Sequence, residues 1–155
     1  MISLLLLLSL SLYATLTEEG IAAYKDGNIT KAKKLYKKAC KNGRMRACTN
    51  LGILYFTGDG VEKNHKKAKK LFVKACKKHY SRACYQLGTI YKRGADGIER
   101  DTRRSRMFYA LTCKLGYMPG CDQYQLIREK PELKGSGKNV INSGYTYTIP
   151  EIYGG

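Results

Sequence analysis

Histidine is scarce in this chain of 155 residues. Only His65 and His79 are present, and no His-x-His pair occurs. Because a catalytic zinc site usually takes about three protein ligands, these two residues do not suffice for a zinc hydrolase. Both stand among lysines, as surface residues do. The sequence therefore predicts no metal site, and no motif calls for a cofactor.

Long apolar segments are missing except at the start of the chain. Residues 1–14 carry no charged side chain, and the run of leucines at 4–8 is followed by the small residue Ala14 and then by polar residues. About 15 apolar residues make only about 22 Å of helix, short of the roughly 30 Å of a bilayer core. We therefore predict a cleaved secretory signal over residues 1–14 and no stable membrane span after its removal.

Acidic residues are also few. The chain has 12 Asp and Glu against 29 Lys and Arg, which gives a formal net charge of +17. Such an excess favours anionic partners such as lipid, acidic polysaccharide or nucleic acid, although a well-solvated surface is the alternative. We do not expect nucleic acid as the partner, because the export segment and the paired cysteines indicate a protein outside the cytoplasm. The lysines also spread over a predicted helix without a stripe of stacking aromatic residues.

Six cysteines fall into three pairs with seven residues between the partners of each pair. The pairs are Cys40/Cys48, Cys76/Cys84 and Cys113/Cys121. Their first members are 36 and then 37 residues apart. A fixed period of this size is typical of a solenoid that is built from one repeated helical unit. The even number of cysteines fits an oxidising compartment.

The segments that precede the first cysteine of each pair share one helical pattern. Small or apolar residues recur at i, i+3, i+4, i+7 and i+8 in residues 32–40, 68–76 and 105–113, which predicts an amphipathic helix that we call helix B. A second helix, helix A, is predicted over residues such as 47–55 and 83–91. Gly52 and Gly88 lie in the middle of helix A and indicate close approach of helix B. The fold class predicted is an all-α solenoid of α/α units.

The turn after each helix B and the boundaries of the repeats follow from the same alignment. Gly43, His79 and Gly116 occupy equivalent positions. The two glycines suit a left-handed helix cap, whereas His79 must either tolerate a positive φ or belong to a different turn. Residues 15–129 are predicted to form three units plus a partial capping helix, and residues 130–155 an extended tail without helical period. The tyrosines expected in the repeat core are Tyr36, Tyr55, Tyr91 and Tyr109.

The repeats resemble a known family. The stretches Leu51-Gly52-x-Leu54-Tyr55-x-x-Gly58-x-Gly60-Val61 and Lys67-Ala68-x-x-Leu71-Phe72-x-Lys74-Ala75 are similar to Sel1-like repeats, a branch of the tetratricopeptide superfamily. The cysteine pairs narrow the resemblance to the Helicobacter cysteine-rich proteins. The resemblance implies one disulfide within each repeat and a secreted or periplasmic location. It also implies binding or hydrolysis of β-lactams or related cell-wall peptides.

The repeat itself favours the same disulfides, Cys40–Cys48, Cys76–Cys84 and Cys113–Cys121. Six cysteines allow 15 pairings, but the end of helix B and the start of the next helix A should face each other across a short turn. A structural zinc site is the alternative, and a spacing of seven residues does not suit it. Each bridge closes a nine-residue loop, which the chain-entropy model values at about 2.6 kcal/mol.

Hydrolysis of a β-lactam has no candidate nucleophile in this sequence. No Ser-x-x-Lys motif occurs, since Ser81 leads to Cys84, Ser105 to Phe108 and Ser136 to Asn139. We therefore assign no catalytic residue and leave open whether the protein is an enzyme. The alternative is a non-enzymatic adaptor that binds a peptide or protein, which could belong to a host. A monomer is expected in either case.

A ligand groove is implied by the superfamily, which lines its concave face with helix A. The residues placed there are Arg46, Thr49, Arg82, Tyr85 and Asp122. An arginine and a tyrosine hydroxyl together suit a carboxylate, either of a lactam or of a peptide C-terminus. The alternative is a solvated face without a ligand.

Overall fold

The computed structural model describes residues 15–128, and within them the protein is entirely α-helical. The predicted signal at 1–14 and the tail at 130–155 lie outside the described residues. Seven helices follow one another in this part of the chain: α1 (residues 15–25), α2 (Ile29–Lys41), α3 (Met45–Thr57), α4 (His65–Cys76), α5 (Ser81–Arg93), α6 (Thr102–Lys114) and α7 (Met118–Arg128). The odd-numbered helices are the predicted A helices and the even-numbered ones the B helices. This confirms the predicted fold class.

Each helix B begins at a side chain that caps it. Asn28, Asn64 and Asp101 accept a hydrogen bond from the backbone N–H three residues later, at 3.0, 2.8 and 2.8 Å. Such a cap satisfies one of the free N–H groups at a helix start, and it typically stabilises a helix by about 1 kcal/mol. The same device therefore sets the start of α2, α4 and α6.

Glycines in the A helices allow the B helices to approach closely. A Cβ atom built on Gly52 would lie 2.6 Å from the Phe72 ring, and one on Gly88 would lie 2.7 Å from the Tyr109 ring. Gly20 has the same relation to Tyr36, at 2.7 Å. These distances are shorter than any carbon–carbon contact at van der Waals separation. The predicted role of the mid-helix glycines is confirmed.

All three turns after the B helices adopt a left-handed backbone, as predicted for the two glycines, and His79 takes the first of its two alternatives. The φ angles are 81° at Gly43, 58° at His79 and 79° at Gly116. His79 is the only residue other than glycine with positive φ among residues 15–128. A side chain is disfavoured in this conformation, so this turn is strained in a way that the other two are not.

The three disulfides join the end of a helix B to the start of the next helix A. Cys40 is bonded to Cys48, Cys76 to Cys84 and Cys113 to Cys121. No free cysteine remains. The predicted pairing is therefore confirmed, and each turn between repeats is covalently closed.

The chain divides into two compact units, residues 1–75 and 76–155. In the described part of the first unit, Tyr36 and Phe72 are buried, each against a helix-A glycine. In the second, Tyr109 packs with Tyr124 and Ile127 in a buried cluster. Among residues 15–128, no helix has both the length and the apolarity that crossing a bilayer requires.

Candidate functional site

The first predicted groove residue, Arg46, already binds a carboxylate of the chain. Arg46 extends from the first turn of α3, and its Nη1 atom donates to Oε1 of Glu18 on α1 at 2.6 Å. The two side chains are 50% and 60% exposed. An exposed pair of this kind stabilises a fold by no more than about 1 kcal/mol. The geometry nevertheless shows that an arginine at this position of helix A can bind a carboxylate.

Thr49 does not line a surface, which corrects its assignment to the groove. Its exposed fraction is 0%. Its hydroxyl donates to the carbonyl of Met45 at 2.9 Å, within the same helix. Because the side chain is buried and its donor is used, Thr49 has neither the access nor the free hydrogen that a ligand contact requires.

The second unit contains the other three predicted residues. Arg82 and Tyr85 lie three residues apart in the first turns of α5, and residues with that spacing share a helix face. Arg82 is exposed and Tyr85 half-buried, while Asp122 is exposed on α7. Within residues 15–128, no ion pair or hydrogen bond engages the Arg82 guanidinium. The groove itself remains a prediction.

The ring of Tyr85 is held by two neighbouring tyrosines. Its centroid lies 5.5 Å from that of Tyr109 on α6 and 5.6 Å from that of Tyr117, with the Tyr117 ring edge-on. Aromatic pairs at such distances contribute about 0.5–1.5 kcal/mol beyond the area they bury. Tyr85 is therefore oriented before any ligand arrives, which lowers the entropic cost of binding.

Tyr109 links this cluster to α5 by a hydrogen bond. The Tyr109 and Thr89 hydroxyls are 3.1 Å apart. Burial raises the pKa of Tyr109, and the hydrogen bond with Thr89 opposes that rise in pKa. Below this raised pKa the buried Tyr109 phenol stays neutral and adds no negative charge beside Tyr85.

Several side chains with catalytic or metal-binding chemistry are already engaged within residues 15–128. All six cysteines are in disulfides. The Ser105 hydroxyl is buried and donates to the carbonyl of Gly88 at 2.9 Å. Between residues 15 and 128, no three His, Cys, Asp or Glu side chains come close enough together to hold a metal ion.

The sequence did not reveal two contacts of the predicted groove residues. Glu18 binds Arg46, and the ring of Tyr117 contacts that of Tyr85. Both partners lie in other helices or turns, far from the groove residue in the chain.

A family model described as Sel1 repeat matches three segments of the chain, residues 9–43, 46–80 and 81–117. Together these segments cover more than half of the sequence. They also coincide with the three helix pairs found in the structure.

Two curated relatives are from Helicobacter pylori strain J99. The protein named "Putative beta-lactamase HcpC" is 49% identical over 47 residues, which are 30% of this chain and 16% of that protein. The protein named "Putative beta-lactamase HcpE" is 50% identical over 42 residues, which are 27% of this chain and 12% of that protein. The aligned part thus spans less than a fifth of either relative. Together with the disulfides, these relatives indicate an extracytoplasmic protein.

Three solved structures share the fold. A protective antigen of uropathogenic Escherichia coli, c5321, is 27% identical with a TM-score of 0.66, over 72% of this chain and 25% of that one. Helicobacter pylori cysteine-rich protein B is 23% identical with a TM-score of 0.62, over 74% of this chain and 91% of that one. A Sel1 repeat protein from Oxalobacter formigenes is 24% identical with a TM-score of 0.64, over 74% and 48%. With its three matched repeats and its disulfide at every repeat junction, the chain belongs to the Sel1 repeat family and is a homologue of the Helicobacter cysteine-rich proteins.

Proposed function

We propose that this protein is a secreted or periplasmic binding protein that recognises the carboxylate of a peptide through Arg82 and Tyr85. The observation that carries the proposal is the contrast between two arginines at equivalent repeat positions. Arg46 is engaged by Glu18 at 2.6 Å. Arg82 is exposed and has no partner within the described residues.

The chemistry of the two side chains fits a carboxylate. A guanidinium presents a planar fork of N–H donors that can bind both carboxylate oxygens, and Tyr85 stands one helical turn away on the same face. Charge-assisted hydrogen bonds of this kind contribute about 1.5–3 kcal/mol each. Peptides of the cell wall and the C-termini of proteins both offer such a carboxylate.

Binding of a short peptide with a free C-terminus tests the proposal. We expect an alanine-terminated cell-wall stem peptide to bind the purified, oxidised protein, and its C-terminal amide to bind about tenfold more weakly. Arg82→Gln should cause a similar loss. Arg46→Gln is the matched control, because its guanidinium is already paired, and it should change the affinity little. Equal binding of acid and amide, measured by calorimetry, would contradict the proposal.

Hydrolysis of β-lactams is the second candidate function, favoured by the names of the two Helicobacter relatives. A chromogenic cephalosporin added to the oxidised protein tests it directly. Turnover should follow the protein peak across a sizing column and disappear after disulfide reduction. The same column reports whether the protein is the expected monomer. If there is no turnover while the helices are intact, peptide binding is the one candidate function that remains.

The location is tested separately. If residues 1–14 form a cleaved signal, the mature protein exported by a Gram-negative host should begin at Thr15. Mass spectrometry of the exported protein would identify its first residue directly. A protein that keeps Met1 and stays with the membrane fraction would contradict cleavage.

A further inference from the structure

The two B helices of the first unit carry many lysines and no acidic residue. Helix α2 reads ITKAKKLYKKACK, and α4 reads HKKAKKLFVKAC. We call five of these residues the lysine face: Lys33, Lys34, Lys37, Lys67 and Lys70. All except Lys33 are exposed, and Lys33 is half-buried. None of the five ammonium groups has an ion-pair partner within residues 15–128.

One lysine from each of the two helices lies over the same aromatic ring. Lys33 of α2 has its Nζ atom 6.0 Å from the ring centroid of Tyr55, and Lys67 of α4 has its Nζ atom 5.6 Å from the same centroid. The two ammonium groups are therefore no more than 11.6 Å apart, the sum of these distances. Tyr55, expected in the core, is only half-buried. A cation over an aromatic ring is attracted to it, which holds both lysines in place.

No carboxylate of residues 15–128 forms an ion pair with this cluster. No acidic residue occurs between Asp26 and Asp59, nor after Glu62 in the first unit. Asp59 accepts a hydrogen bond from the Tyr24 hydroxyl at 2.8 Å, and Glu18 is bound to Arg46. The field of the lysine face is thus directed to solvent, where it attracts anions.

The surroundings of the lysine face decide which anion it fits. The exposed large hydrophobic side chains among residues 15–128 are Tyr24, Met118 and Leu126, none of which lies on α2 or α4. A membrane-surface helix would need apolar side chains to insert beside its lysines. Single-stranded nucleic acid would need exposed aromatic rings for stacking, whereas Tyr55 is half-buried with lysines over its ring. An acidic polysaccharide needs neither, since its charges lie along a hydrated chain.

We propose that the lysine face of α2 and α4 binds an acidic polysaccharide, through its sulfate or carboxylate groups. The cations extend along two helices rather than into one cavity, as a linear polyanion requires. The Cβ atoms of lysines three or four residues apart on a helix lie about 5–6 Å from one another. Successive anionic groups of a chain can therefore each bind one lysine. The lysine face shares no residue with the carboxylate site at Arg82 and Tyr85, which belong to the second unit.

Heparin serves as the sulfated probe, and two variants of equal charge decide the question. The test variant carries Gln at all five positions of the lysine face. The control carries five Gln substitutions at exposed basic residues of the second unit: Lys78, Arg100, Arg103, Lys114 and Arg128. At about 0.1 M salt we expect the test variant to bind heparin about tenfold more weakly than the unmodified protein, and the control less than about threefold. Equal losses in the two variants would show that net charge alone attracts heparin and would overturn the proposal.

A second measurement uses the unmodified protein, so the result does not depend on whether a variant folds. Lysines are acetylated with and without heparin, and the modified positions are read by mass spectrometry. Protection of Lys33, Lys34, Lys37, Lys67 and Lys70 beyond that of Lys78 and Lys114 supports the proposal. Uniform protection overturns it.

Competition tests whether the lysine face prefers a polysaccharide to anionic lipid or nucleic acid. Phosphatidylcholine vesicles with phosphatidylglycerol, and a single-stranded oligonucleotide, are each added at the same concentration of negative charge. We expect neither to displace heparin. Displacement by either one would reassign the surface to lipid or to nucleic acid. The Arg82→Gln variant should bind heparin normally, so failure of the peptide-binding proposal would not affect this result.

Discussion

Replacing Gly88 by alanine should destabilise the protein, although alanine is the better helix former. Gly88 lies in the interior of α5, where intrinsic propensity alone predicts a gain of about 1 kcal/mol from Gly→Ala. The structure predicts the opposite sign. A Cβ atom at this position would lie 2.7 Å from Cε1 and 2.8 Å from Cδ1 of the Tyr109 ring.

The Tyr109 ring has little freedom to move away. It is 1% exposed and packs in a buried cluster with Tyr124 and Ile127. Its hydroxyl is hydrogen-bonded with that of Thr89. Overpacking a core of this kind costs about 1–3 kcal/mol. After the propensity gain of about 1 kcal/mol is subtracted, we expect a net loss of up to about 2 kcal/mol in the free energy of unfolding, or up to about 8 °C in Tm.

Urea and thermal unfolding followed by circular dichroism would measure the loss, and a double-mutant cycle would assign it. Tyr109→Leu removes the ring, so that Gly88→Ala in that background should cost much less or even stabilise. Gly52→Ala with Phe72→Leu is the matched cycle in the first unit, where the corresponding distance is 2.6 Å. A stabilising Gly88→Ala in the presence of Tyr109 would refute the idea that these glycines exist to admit helix B.

Three further predictions concern the turns, the disulfides and the buried phenol. His79→Gly should raise the free energy of unfolding by about 0.5–1 kcal/mol, because glycine accepts the φ of 58° without strain, and His79→Ala should show no such gain in the same urea titration. Replacing Cys113 and Cys121 by serine should cost about 2.6 kcal/mol on the chain-entropy model, and a loss below about 1 kcal/mol would show that the bridge does little for the folded state. Because burial raises the pKa of Tyr109 above that in the unfolded chain, the contribution of Tyr109 to stability should be constant below about pH 10 and fall as the pH rises further. Tyr109→Phe should weaken that fall, and an unchanged pH profile would contradict the assignment.

Much of the fold could be predicted from the sequence because it repeats. A period of 36 and 37 residues between cysteines, with the same apolar stripe before each, fixes the type and order of the helices. The pairing Cys40–Cys48 followed because partners eight residues apart in the chain can meet only across one short turn. The left-handed turns at Gly43 and Gly116 also followed from their glycines, whereas the structure decided between the two alternatives at His79. In each case the structural feature depends on neighbours within one turn or on a copy elsewhere in the chain.

The candidate site was predicted less well, and Thr49 shows why. Helical spacing placed it on the same face as Arg46. Residues on one helix face can nevertheless differ in burial, and here Arg46 is exposed while Thr49, one turn later, is buried. The depth of each position depends on the helices packed around it, which helical spacing alone does not reveal. Thr49 is consequently buried, while Tyr55, expected in the core, is half-buried.

By itself, the sequence determined the helix pairs, their disulfides and the closely packed glycines, because these features arise from local spacing and from repetition. Only the tertiary structure decided which charges are already paired and which face solvent. Arg46 meets a carboxylate 28 residues away, and Lys33 and Lys67, 34 residues apart, meet over one ring. Such meetings depend on how helices pack, since side chains far apart in the chain become neighbours only when the backbone brings their helices together. The functional proposals therefore rest on those long-range contacts, whereas the family assignment rests on the repeat.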